Sequence, residues 1–198
     1  MDTVAGFVLA LGLFAAAGPK DALVIRLGAG AGPLWQVTAI CVAADVLLIG
    51  LGSVGLGALL ATDPRLLVLL RLSGALYLLG FGAQRLACCV RDRSMPQAPS
   101  GADSAQVLRL ALSLSFVNPY AWIDTVLVIG SAAAGRGAFA LGASAASLAW
   151  FVALAAVIRQ FGPRLLRSRH AWRALDAGIA ALMTWIAAGL IRASLGGI

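Results

Sequence analysis

Six apolar stretches of bilayer length, separated by short polar or glycine-rich turns, leave this chain little choice of fold. They cover about residues 4–26, 35–60, 65–87, 107–134, 138–158 and 172–195. A spanning helix needs about 20 apolar residues, because backbone polar groups find no water in hydrocarbon and must bond within the segment. Only 12% of the 198 residues are charged, about half the share of an ordinary soluble domain at ~25%. The expected fold is an all-α integral membrane protein with one membrane domain over residues 1–198. No length remains for a soluble catalytic domain. The first segment has no basic region ahead of it and no clear cleavage site, so it reads as a retained helix rather than a signal peptide.

Two of these segments are broken. In Phe116-Val117-Asn118-Pro119-Tyr120-Ala121-Trp122-Ile123-Asp124 a proline interrupts an apolar run that also carries a carboxylate. Proline lacks an amide proton and clashes with the preceding turn, so it ends one helix and suits the first position of the next. Asn118 is placed to cap that new helix. The first segment has the same pattern at Gly18-Pro19, followed by Lys20, the chain's single lysine, and Asp21. Helices 1 and 4 are therefore expected to be broken at proline. Paired broken segments are the pattern of a transporter's binding site.

The two halves match in spacing. Pro19 and Pro119 stand 100 residues apart, and Asp45 and Ser147, each preceded by two alanines, stand 102 apart, as do Arg71 and Arg173. With three spans in each half, the second copy enters from the opposite side. This predicts six transmembrane helices as two inverted three-helix repeats, 1–90 and 106–198, joined by a polar linker at 91–105. Thr62-Asp63-Pro64 reads as a turn with capping character, and the small residues of Gly50–Gly57 would let helix backbones approach closely. The net charge of +7 comes from arginines placed mostly between spans. That is a topology signal plus contact with anionic lipid, not a nucleic-acid footprint. Ten arginines flank the first, third and fifth loops, against Arg65, Arg71, Arg136 and Arg192 on the other side. The odd loops are expected in the cytoplasm and both termini outside; if helix 1 does not fully span, the N-terminus lies inside instead.

Ionisable groups at membrane depth cost ~3 kcal/mol even on lenient scales and usually face a protein interior or a water-filled path. Asp45 lies near the middle of its segment and Asp124 just past a break, so both are candidates to hold an ammonium, a guanidinium or a proton. The half-helix beginning after each proline has unpaired amide protons and a positive dipole end, which suit a carboxylate. A zwitterionic or cationic amino acid satisfies both. The candidate substrate- or ion-binding residues are Gly18, Pro19, Lys20, Asp21, Asp45, Asn118, Pro119, Tyr120, Asp124 and Ser147. Structural roles compete at each: the prolines as plain kinks, Lys20 with Asp21 as a neutral scaffold pair, Tyr120 and Ser147 as packing. Asp176 is expected to pair with Arg173 on its own helix.

No catalytic, metal or cofactor site is expected. An enzyme would need a nucleophile and a base in one cluster, and the only histidine, His170, lies in a basic loop. Metal efflux finds no His or Cys cluster in the membrane core. A membrane thiol-redox carrier is a further class, but it needs a cysteine in each half, and Cys41, Cys88 and Cys89 all belong to the first.

Five stretches together carry a family resemblance: Gly18-Pro19 with Ala22-Leu23-Val24-Ile25, Cys41-Val42-Ala43-Ala44-Asp45-Val46, Gly74-Ala75-Leu76-Tyr77-Leu78-Leu79, Phe116 to Thr125, and Ala145-Ala146-Ser147-Leu148-Ala149-Trp150-Phe151. In this order they resemble the LysE-type family of bacterial amino-acid exporters, the lysine and arginine exporters in particular. The resemblance implies a multi-pass exporter of the inner membrane that moves basic or related amino acids out of the cytoplasm by proton gradient or membrane potential. It points to Asp45, Asn118, Pro119 and Asp124 as site positions, and a homodimer would fit it. One departure stands out. The basic-amino-acid exporters usually have Gln-Asn after Gly-Pro, and here Lys20-Asp21 stand. A fixed positive charge there disfavours a cationic substrate unless Asp21 cancels it, so a neutral amino acid or another small solute is the alternative.

Overall fold

The computed structural model describes residues 1–16, 18–28, 32–91, 104–165 and 168–195. The expected linker at 91–105 falls largely outside them, as do part of the turn after Gly28 and part of the basic loop at Arg167. Within the described residues all regular structure is helical. Helix α1 (Asp2–Phe14) meets α2 (Pro19–Gly28) at an angle of 76°. Helix α3 (Leu34–Leu51) runs through a π-helical stretch, Gly52–Leu56, which is kinked at Gly55 (φ 110°), into α4 (Gly57–Thr62), and α5 (Pro64–Val90) follows. Helix α6 (Ser104–Phe116) bends by 49° into α7 (Pro119–Ala121), which continues as a second π-helical stretch, Trp122–Gly130, and α8 (Ser131–Ala133). Helices α9 (Gly137–Leu165) and α10 (Arg169–Leu195) end the described chain. Four runs are each long and apolar enough to cross a membrane, Leu34–Leu60, Pro64–Val90, Gly137–Arg164 and Arg169–Leu195, and the two bent pairs bring the total to six if each is one span. The protein is a multi-pass membrane protein.

Local chemistry sets the boundaries. Pro64 opens α5, and the Asp63 carboxylate accepts from the amides of Arg65 at 2.9 Å and Leu66 at 3.4 Å, which satisfies donors that have no intrahelical partner. Asn118 does the same at the second break, accepting from the Tyr120 amide at 3.0 Å ahead of Pro119. Helix α9 extends to Leu165, past its expected end near 158, and carries Pro163 in its last turns.

Three apolar clusters hold the bundle. One joins α2, α3, α6 and α9 through Val24, Val37, Cys41, Ala111 and Phe151. A second joins α1, α3, α9 and the second π-helical stretch through Ala10, Phe14, Ile49, Ile129 and Ala146. The third seats α2 against α5 and α10 through Ala22, Ala75, Leu78, Ile179 and Met183. The short helix α2 is thus gripped on two sides. Outward faces carry Leu69, Leu76, Leu141 and Trp185, all well exposed, as a lipid-facing surface requires.

Small residues let the backbones meet, as the sequence of α3 and its continuation foretells. A methyl group added to Gly52 would lie 2.6 Å from the Gly130 Cα, so the two π-helical stretches cross with no side chain between them. Helix α1 lies as close to α9 at Gly6 and Gly142, where an added carbon would strike backbone of Phe139 and Thr3. Overpacking a fitted contact costs about 1–3 kcal/mol. Gly52→Ala is expected to lower the thermal unfolding midpoint in detergent micelles. Gly50→Ala, whose added carbon meets nothing within 4 Å, is expected to leave that midpoint unchanged.

Candidate functional site

The two breaks face each other. Both half-helices open on proline, and each is capped from within its own segment. At the first break the Asp21 carboxylate reaches back to accept the Gly18 amide at 2.6 Å, the carboxylate half of a capping box. At the second, Asn118 takes the Tyr120 amide through its side chain and the Ala121 amide through its carbonyl, the latter at 3.1 Å. The Trp122 indole donates to the Phe116 carbonyl at 2.8 Å and ties the two sides of that break together. The leading amide donors behind Pro119 are therefore in use.

Between the breaks lies a small cavity of about 30 Å³, lined by Gly18, Lys20, Asp21, Asn118, Tyr120 and Asp124, among others. It has room for about one or two water molecules and none for an amino acid. Lys20, on the first turn of α2, forms an ion pair with Asp45 of α3, a residue with no exposed surface. Ser147 of α9 donates to the other Asp45 oxygen at 2.8 Å. The Lys20 ammonium also lies 5.3 Å from the centre of the Phe151 ring. Asp21 turns away from Lys20 and accepts the Trp150 indole N–H at 2.7 Å with its remaining oxygen. Asp124, on the second π-helical stretch, borders the same cavity, and among the described residues no hydrogen bond or ion pair engages it.

Nine of the ten residues singled out in the sequence come together here. Seven border the cavity, Pro19 included, and Asp45 and Ser147 join them through Lys20. Pro119 sets the break but does not line the cavity. Lys20 and Asp21, weighed above as a mutual pair, have separate partners. The pairing of Asp176 with Arg173 is not what forms. Asp176 faces the bundle with Trp172 one turn before it, whereas Arg173 is exposed. Arg26 of α2 supplies the partner, at 2.5 Å. The sequence reading did not single out Trp150 and Phe151 as site residues. The signal was spacing: they follow Ser147 by three and four residues and so share its helix face.

A buried ion pair is destabilising to break from one side, by about 3–5 kcal/mol, because the remaining charge is stranded. Lys20→Met is expected to lower the unfolding midpoint in detergent sharply, and adding Asp45→Asn to it is expected to restore most of the loss.

The model of the LysE type translocator family matches residues 11–194. The chain is similar to the lysine exporter LysE of Corynebacterium diphtheriae, with 32% identity covering 95% of this chain and 97% of that protein. It is 31% identical to the lysine exporter LysE of Corynebacterium efficiens over the same shares. It is 32% identical to YggA of Aeromonas salmonicida, named provisionally as an amino-acid transporter, over 98% of this chain and 97% of that one. No solved structure matches.

Proposed function

This chain belongs to the LysE type translocator family, and from that premise we propose that it is a secondary active exporter of basic amino acids, working across the inner membrane. Relatives in the family are transporters rather than enzymes; the two from Corynebacterium are named lysine exporters, and the one from Aeromonas salmonicida is named provisionally as an amino-acid transporter. The observation that carries the basic class is the charge balance at the cavity. Among the described residues lining it, the single cation, Lys20, is matched by Asp45, and the carboxylates of Asp21 and Asp124 remain beyond that pair. Neutral N–H donors hold Asp21 without cancelling its charge. The positive charge at position 20 therefore does not repel a cationic substrate, since Asp45 answers it where Asp21 does not.

Asp124 is the group we assign to the substrate's ammonium. A carboxylate at this depth accepts a proton or an ammonium but gains nothing from both at once. That exclusivity is the minimum needed for a proton to return as the amino acid leaves, whether the driving force is the proton gradient or the membrane potential. For the path itself we propose two inverted three-helix repeats, 1–90 and 106–198, with the linker 91–105 between them. Asp45 and Ser147 stand 102 positions apart, at equivalent places in the two halves, and bond to each other directly. Residues on a two-fold axis between repeats would do so. We also propose that both termini lie outside, which the arginine distribution supports.

The test is efflux of labelled lysine, arginine and a panel of neutral amino acids from preloaded cells carrying the wild type or Asp124→Asn. Lysine or arginine efflux is expected from the wild type, and a fall of at least about tenfold, or ~1.4 kcal/mol, from Asp124→Asn. Efflux of neutral amino acids alone would overturn the basic class. No efflux of any amino acid, with the protein present in the membrane, would overturn export.

A further inference from the structure

A second, much larger cavity opens beside the site. Its volume is about 760 Å³, and α2, α5 and α6 line it, with Pro19, Arg26, Tyr77, Gln84 and Arg85 among its residues. A cavity of about 300–1,000 Å³ is the ordinary size for a small-molecule site. Pro19 borders both this cavity and the smaller one, so the vestibule leads to the first break. Its two arginines differ. Arg26 is bound to the fully buried Asp176 and lies 5.4 Å from the Trp172 ring. Arg85 lies 4.8 Å from the Phe81 ring, and its Nε is buried with no hydrogen-bond partner among the described residues. Asp176 bonds Arg26 through one carboxylate oxygen, and its other oxygen is buried with no hydrogen-bond partner among the described residues; one carboxylate against two guanidinium groups leaves the vestibule an excess of positive charge.

We propose that Arg85 is the loading point for the α-carboxylate of the transported amino acid, which it binds in the vestibule before the ammonium reaches Asp124. A guanidinium presents two parallel N–H donors to a carboxylate, and the aromatic face beneath it holds that fork in place. The division of labour also follows from the breaks: Asn118 and Asp21 already occupy leading amides that a substrate carboxylate would otherwise use. The ligand's identity rests on the export reading; the carboxylate chemistry at Arg85 does not.

The experiment uses the full chain in phosphatidylcholine vesicles. Phenylglyoxal modification of Arg85 is followed by mass spectrometry with L-lysine, L-leucine or acetate present, and with the amides of the two amino acids as controls. Carboxylates are expected to slow modification at Arg85, and the amides to have no effect. In parallel, Arg85→Gln is expected to raise the KM for amino-acid efflux about tenfold with kcat nearly retained, and Arg85→Lys to fall between it and the wild type. Protection without transport would leave the Arg85 site standing and remove the export reading. Transport with no protection and with wild-type KM in both variants would remove the Arg85 site alone. Protection given by added phosphatidylglycerol and not by the carboxylates would reassign Arg85 to a lipid headgroup and overturn the proposal.

Discussion

An ammonium group held away from water must be matched by a carboxylate, because a lone charge in hydrocarbon is costly and a stranded buried one costs more. Lys20 meets that requirement across helices, with Asp45 of α3 rather than with the adjacent Asp21. The other contacts at the centre follow. Asp45 needs its second oxygen satisfied, and Ser147 of α9 provides the donor. Asp21, released from its neighbour, caps its own half-helix and takes the indole of Trp150. One pair thus fastens α2, α3 and α9 together, and the carboxylate of Asp124, unpaired among the described residues, is what remains to face the cavity.

Much of this was legible beforehand because a bilayer leaves few options. Twenty apolar residues in a row make a helix whatever their neighbours, and the prolines at 19 and 119 forced the breaks. Asn118 and Asp63 act as caps because capping is a local matter of one side chain and the next few amides. Partnerships between distant residues were less legible. Nothing local chooses between Asp21 and Asp45 as the partner of Lys20, since the choice depends on how steeply α2 turns away from α1. Arg173 was the natural partner for Asp176 by helix spacing, but the rotation of α10 buries one and exposes the other. The π-helical stretches had no sequence signal beyond the glycines that let them cross. Such stretches are frequent at functional sites, and here one of them carries Asp124.

The two cavities differ in charge. The small one is lined by carboxylates and holds a cation that is already matched, so it offers something to an amine. The vestibule is lined by two arginines and, among the described residues, by no carboxylate, so it offers something to an acid. Pro19 stands at the boundary of both. A broken helix suits that boundary, because the short helix α2 can carry residues into two environments that a straight span would keep on separate faces.

The bond between Arg26 and Asp176 spans 150 residues of chain, and that distance is also an interval in time. A chain is made from its N-terminus onward, at roughly 5–20 residues per second, so Arg26 leaves the ribosome many seconds before its carboxylate exists. During that interval the end of α2 has every reason to stay at the membrane surface, where a guanidinium is hydrated. Only when α10 arrives can α2 be drawn fully into the bundle. A helix made long after α2 is therefore the one that completes the first broken segment. A chain stopped short of Asp176 would already contain both breaks but would lack the carboxylate that holds the first of them in place.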